Sequence, residues 1–114
     1  MSTPQNFPLE IDVASVHQLQ TAGVPFLLLD CREADEVSAC SIKGSVHISM
    51  REIAARLAEL EPHKGERIVV HCHHGGRSMR ITQWLRQQGW ETVQNMAGGI
   101  DAWSQQIDPS VPRY

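Results

Sequence analysis

The run Val69-Val70-His71-Cys72-His73-His74-Gly75-Gly76-Arg77-Ser78 passes from an apolar, β-branched stretch into a cysteine, a polar loop with two glycines, an arginine and a serine. A helical pattern then begins. That order places one thiol at the C-terminal end of a strand and at the mouth of a helix. Unpaired backbone N–H groups and the positive end of the helix dipole point into such a mouth. Both favour the thiolate, which is the nucleophilic form of cysteine. Cys72 is therefore the candidate catalytic residue.

Working outward from this run, strand and helix patterns alternate. Asp12 is suited to cap a helix whose face carries Val13, Val16 and Leu19, with Gly23 as its stop. Phe26-Leu27-Leu28-Leu29-Asp30 is short and continuously apolar, as expected of a strand buried on both faces. Val46-His47-Ile48 is a weaker strand. Ser49 with Glu52 forms a capping-box pattern at the head of a helix expected to run to Leu60. Arg67 to His71 is the strand before the loop. Met79, Ile81, Trp84 and Leu85 give a helix from Ser78 to Gln88. Thr92 to Met96 is a last strand, and Gly98-Gly99 opens a helix from Ile100 to about Gln106. Asp108 to Tyr114 reads as an extended tail. The alternation predicts an α/β fold with a mostly parallel sheet. Ligands bind beyond the carboxyl ends of strands in such sheets, where the loop after His71 lies.

The chain has 114 residues and a net charge of -3, with 41% hydrophobic and 20% charged residues. This is the composition of one globular domain, expected over residues 9–114 behind a loose lead-in at 1–8. The acidic balance argues against nucleic acid as a partner, and Trp84, Trp90 and Trp103 have no basic neighbours of the kind that accompany base stacking. No apolar run is long enough to cross a membrane, and Met1 to Asn6 lacks the pattern of a signal peptide. Three cysteines at irregular spacing argue against a disulfide framework, so a reducing cytoplasm is the expected compartment.

Gly75 and Gly76 permit backbone angles closed to other residues, so successive N–H groups of residues 73–77 can converge on an anion. Such a nest would hold a thiolate and equally a persulfide. Arg77 offers a rigid fork of donors for the oxygens of an anionic substrate, or for backbone carbonyls of its own loop. A purely structural salt bridge is its bland alternative. His73 and His74 add donors and, when protonated, charge; otherwise they are solvated loop residues. Ser78 can cap the helix. A buried, inert thiol is the bland reading of Cys72, but a core cysteine needs neither two glycines nor an arginine beside it. Cys31, at the end of an apolar strand, reads as packed. Cys40 reads as lying in an exposed polar loop, where it could resolve an oxidised Cys72 as a disulfide. His71 to His74 are soft ligands in a row, but adjacent residues do not readily turn to one ion and no second cluster completes a set. No metal and no cofactor are expected.

Cys72-His73-His74-Gly75-Gly76-Arg77-Ser78 resembles the C-x-x-G-x-R-S active-site loop of the rhodanese (thiosulfate sulfurtransferase) family. Leu29-Asp30-Cys31-Arg32-Glu33 is similar to the family's D-x-R-E segment. Ile42 to Ile48 is similar to its H-I-P-G-A-x-x-I-P segment, with Ser41, Lys43 and Ser49 as departures. Ala97-Gly98-Gly99-Ile100-Asp101-Ala102-Trp103 is similar to its G-G-x-x-x-W segment. The four occur in order at compatible spacing. The resemblance implies a three-layer α/β/α sandwich around a five-stranded sheet. It further implies sulfane transfer from thiosulfate or another persulfide donor, through a Cys72 persulfide, to a thiophilic acceptor such as cyanide or a partner protein. Asp30 and Arg32 match family residues near the site, implied to hold the loop and contribute charge. Related phosphatases place five residues between cysteine and arginine; here there are four, a smaller cradle that suits one sulfur rather than a phosphate. Rhodanese-like domains that serve only as interaction modules typically lose the cysteine, which this chain keeps. The residues after Trp103 resemble the end of rhodanese domains fused to ubiquitin-activating-like enzymes, with covering the sheet edge or core as the bland alternative. The catalytic reading requires amides turned toward the thiol and a thiol that substrate can reach.

Overall fold

A computed structural model describes residues 7–114 of the chain. Most of the expected lead-in, residues 1–6, lies outside the described residues. Phe7 and Pro8 are tied to the domain. Arg86 Nη2 donates to their carbonyls at 2.8 and 3.2 Å, and Gln94 Nε2 donates to that of Pro8 at 3.0 Å.

Five strands form one sheet: β1 (Glu10–Ile11), β2 (Leu27–Asp30), β3 (Val46–His47), β4 (Ile68–His71) and β5 (Val93–Met96). Their order is β1-β5-β4-β2-β3, and every pairing is parallel. β4 lies at the centre and all four of its residues are buried, which is why Ile68-Val69-Val70 is apolar on both faces. The helices are α1 (Val13–Thr21), α2 (Ala34–Ala39), α3 (Gly76–Gln87) and α4 (Gly99–Gln106).

Side-chain alternation along the strands divides the core in two. On one face Leu29, Cys31, Val70 and Cys72 pack with Ile81 and Leu85 of α3 and with Leu60. On the other Leu28, Val69 and Met96 pack with Val13 and Val16 of α1 and with Ile100 and Trp103 of α4. This is the expected three-layer sandwich. Trp90 and Trp103 are core residues, and Trp90 Nε1 donates to Leu60 O at 3.0 Å.

Asp12 caps α1 as expected, accepting from Ser15 N at 2.9 Å. The segment after Ser49 departs from expectation. It runs through turns and then a 3-10 helix at Leu57–His63, with Pro62 inside it, rather than one α-helix from Ser49. Pro62 has no N–H to donate, and Arg56 takes Glu52 and Glu59 together, so local pairs replace an α-helical ladder. Two elements carry no expectation above: the two-residue edge strand β1, too short to show a period, and α2. Helix α2 begins with a capping box in which Glu33 and Glu36 satisfy each other's backbone N–H groups. Its presence corrects the reading of Cys40 as exposed: Cys40 ends α2, buried in the second core cluster.

Candidate active site

Helix α3 starts two residues earlier than expected, so Gly75 is its N-cap and Ser78 lies inside its first turn. Gly75 has φ 110°, a left-handed angle that a side chain would strain. That angle turns the chain back so that the head of α3 closes on the end of β4. The Cys72 Sγ accepts from Gly75 N at 3.1 Å, from Ser78 N at 3.4 Å and from Ser78 Oγ at 3.3 Å. Burial pushes the thiol up, but these bonds and the Arg77 amide outweigh it, and the net shift is downward. The amides are thus turned toward sulfur as the catalytic reading requires. Cys72 is nonetheless only 1% exposed, so the second requirement, a thiol that substrate can reach, is not met in this closed arrangement.

Side chains from three segments surround the loop. Arg77 makes a two-pronged pair with Glu36 of α2, at 2.7 and 2.8 Å, and this holds the Glu36 carboxyl down at about 2. Glu36 fills the guanidinium fork, and no donor of Arg77 goes to a carbonyl of its own loop. The Tyr114 hydroxyl donates to Glu36 Oε2 at 2.8 Å and accepts from Arg32 Nη1 at 3.0 Å. Its ring stacks on His73 at 3.8 Å between centroids, and His73 stacks in turn on His74 at 3.8 Å. The tail expected to run extended is instead anchored. Val111 is buried and its carbonyl accepts from Ser104 Oγ, while Tyr114 bridges both sides of the loop.

Asp30 and Arg32 form a buried pair at 2.8 Å. Burial pushes the Asp30 carboxyl up, yet the Arg32 hydrogen bonds and neighbouring charges bring it below its ordinary value. Arg32 also donates to Cys40 O at 2.7 Å, and His47 Nε2 bonds Arg32 O at 2.6 Å. Asp30 and Arg32 therefore brace α2 and Tyr114; neither is bonded to the Cys72 sulfur. His71, one residue before Cys72 on β4, faces the other side of the sheet. Fully buried, it is pushed down to about 4 and bonds Ser45 Oγ at 3.2 Å.

Two close neighbours of the site lay beyond the sequence reading. Asn95 of β5 accepts from Ser78 Oγ at 2.5 Å and donates to Glu10 at 3.0 Å. Glu36 is the counter-ion of Arg77; the Glu33–Glu36 spacing was the signal for the helix that carries it. Gly99 was read only as a helix start, but its role is steric. A Cβ there would meet His73 O and, at 2.6 Å, Cys72 O, and its own N-terminal turn donates to the loop, Ile100 N to Cys72 O at 2.9 Å and Asp101 N to His73 O at 3.1 Å.

His73, His74 and Asp101 bring their ligand atoms within 4.8 Å of one another. They are poorly arranged for a cation, because the two imidazoles lie face against face and Asp101 is held by Arg113 at 2.8 Å. A cleft of about 460 Å³ lies away from Cys72, between His17 of α1, Trp103 of α4 and the tail at Pro112. Among the described residues no helix is long and apolar enough to cross a membrane.

The thiol in its amide cradle at the head of α3 is accompanied by a family match: the rhodanese-like domain family model fits residues 12–106. The chain belongs to the rhodanese-like domain family. This rhodanese-like domain is 35% identical over 102 residues to the adenylyltransferase and sulfurtransferase MOCS3-2 of Zea mays, covering 85% of this chain and 21% of that protein. It is 33% identical over 102 residues to a sulfurtransferase of Allochromatium vinosum, covering 90% and 94%. The crystal structure of a rhodanese-related protein from Thermoplasma volcanium superposes with a TM-score of 0.79 at 28% identity, covering 94% of this chain and 100% of that one. The domain spans 30%, 21% and 22% of the length of three longer curated relatives.

Proposed function

We propose that this rhodanese-like domain is a sulfurtransferase that carries sulfane sulfur as a persulfide on Cys72. The observation that carries the reading is the inward-turned cradle of Gly75 N, Ser78 N and Ser78 Oγ around one sulfur. Donors fixed before the reaction stabilise an anion without reorganising. The Cys72 thiolate attacks the outer sulfur of thiosulfate. The S–S bond of the donor breaks and sulfite leaves with its electron pair. The terminal sulfur of the new persulfide is then attacked by a nucleophilic acceptor, which takes the sulfur and returns the thiolate; with cyanide the product is thiocyanate. A relative named as an adenylyltransferase and sulfurtransferase supports a protein-bound donor or acceptor as the alternative to small molecules. His74 lies exposed at the rim, Arg77 offers its fork to the donor once released from Glu36, and the four-residue spacing from Cys72 to Arg77 supports sulfur rather than phosphate. Because Cys72 is buried, turnover includes a step that opens the loop to the donor.

Incubation with thiosulfate, followed by intact mass, tests the reading. Wild type gains one sulfur atom and releases one sulfite; Cys72→Ser gains nothing. No gain in wild type leaves only an interaction module. Sulfur uptake with no transfer to cyanide leaves a carrier that discharges to a partner protein. Hydrolysis of an aryl phosphate faster than thiosulfate turnover favours a phosphatase.

A further inference from the structure

Cys31 is a second thiol on the face that carries Cys72, and the transfer chemistry above makes no use of it. β2 and β4 pair with Leu29 opposite Val70 and Asp30 opposite His71. The ladder runs one bond further, with Cys31 N donating to His71 O at 3.1 Å. Cys31 and Cys72 thus leave two adjacent strands side by side, each one residue beyond the last pair. Alternation puts both on the same face, and both belong to the same core cluster. Neighbouring strands run about 4.8 Å apart, inside the span of roughly 4.4–6.8 Å between Cα atoms that a disulfide bridges. Cys40, the partner suggested by sequence, sits in the cluster on the opposite face.

We propose that Cys31 resolves the Cys72 persulfide when no external acceptor arrives, forming a Cys31–Cys72 disulfide and releasing sulfide. The proposal rests on the sulfurtransferase reading. The Cys31 sulfur attacks the Cys72 Sγ. A Cys31–Cys72 S–S bond forms, and the bond from Sγ to the terminal sulfur breaks. The terminal sulfur leaves with the electron pair and takes the Cys31 proton, departing as HS⁻. Cys31 is oxidised by one unit, the departing sulfur is reduced by one, and no outside oxidant is consumed. Cys31 is fully buried, so the sulfur it meets is the one beside it. Burial, reinforced by the neighbouring Cys72 charge, pushes the Cys31 thiol up to about 12. It therefore waits as a poor nucleophile, and an acceptor at hand takes the sulfur first. The domain would pass sulfur outward when acceptor is present and discharge it as sulfide when it is not.

The test loads the full chain with thiosulfate, removes small molecules, and follows sulfide and protein mass without added thiol. Wild type is expected to lose its extra sulfur, release one sulfide per persulfide and yield a 31–72 crosslinked peptide under non-reducing digestion. Cys31→Val, which suits the apolar strand end, and Cys31→Ser as a second variant are expected to keep the persulfide and release no sulfide. A wild-type persulfide that persists without sulfide or crosslink overturns the proposal alone, as does equal sulfide release by both Cys31 variants or a crosslink that joins Cys40 to Cys72. Failure of wild type to load sulfur at all overturns the sulfurtransferase reading, and the resolving step with it.

Discussion

Ser78 shows how a single hydroxyl bears on the charge of the Cys72 sulfur. Its Oγ faces two acceptors, Cys72 Sγ at 3.3 Å and Asn95 Oδ1 at 2.5 Å, but carries one proton. An ionised sulfur draws that proton, because hydrogen bonds to charged acceptors are the stronger kind. Such a bond contributes about 1.5–3 kcal/mol, and one pKa unit is about 1.4 kcal/mol. Ser78→Ala is therefore expected to raise the Cys72 titration midpoint by about one unit or more, read from thiolate absorbance against pH. In wild type the hydrogen bonds to the sulfur hold the midpoint below the ordinary cysteine value, against the opposing effect of burial. The fold stabilises the thiolate, so this contribution is present in full above the unfolded-state midpoint and is lost as pH falls through the lowered folded one. Identical midpoints in Ser78→Ala and wild type would place the hydroxyl proton on Asn95 and leave the amides as the whole of the cradle.

The elements around the loop hold it from two sides. From α4, Gly99 has φ 60°, and its missing Cβ is what lets the helix end donate to Cys72 O and His73 O. Gly99→Ala combines a left-handed angle, about 1–2 kcal/mol, with overpacking of about 1–3 kcal/mol. The expected result is a fall in Tm of about ten degrees or more by calorimetry, at roughly 4–8 °C per kcal/mol; a fall of a degree or two would show that the loop retreats at no cost. From α2, Glu36 occupies Arg77. Half-exposed pairs are worth about 1 kcal/mol or less. Glu36→Gln should accordingly lower the thiosulfate KM by about two- to fivefold with kcat little changed, and an unchanged KM would remove Arg77 from donor binding. Helix α2 also marks where sequence reading ran out. The strands around Leu28 and Val69, the α1 cap at Asp12 and the Cys72 loop were legible because period, capping chemistry and glycine punctuation act locally. The Arg77–Glu36 pair, the Asn95 acceptor and the placement of Cys40 were not, because each depends on chain segments between 17 and 41 residues apart or on a short helix whose six residues show no buried face. The capping box made the opposite error at Ser49, where a good local signal lost to Pro62 and the Arg56 pairs.

At the scale of the whole molecule, residues from the last turn of α4 onward run back across the sheet's carboxyl edge, and Tyr114 ends on the Cys72 loop. It touches three parts of the fold at once: Arg32 beyond β2, Glu36 in α2 and His73 beyond β4. A stacked aromatic pair contributes about 0.5–1.5 kcal/mol and each hydrogen bond about 0.5–1.5 kcal/mol. Closure is therefore favoured by about 1.5–4.5 kcal/mol, and tenfold in an equilibrium corresponds to about 1.4 kcal/mol. If this strap is what buries Cys72, its loss shifts the population of loops that admit a reagent. Tyr114→Ala should speed alkylation of Cys72 by iodoacetamide by about tenfold or more, with Tyr114→Phe, which keeps the stack and loses the hydroxyl, in between. The measurement is the second-order alkylation rate at a pH above both titration midpoints, so that a change in thiolate fraction does not imitate a change in access. Equal rates in the three proteins would assign the burial of Cys72 to the Arg77–Glu36 pair, and then Glu36→Gln, rather than the Tyr114 variants, should carry the acceleration.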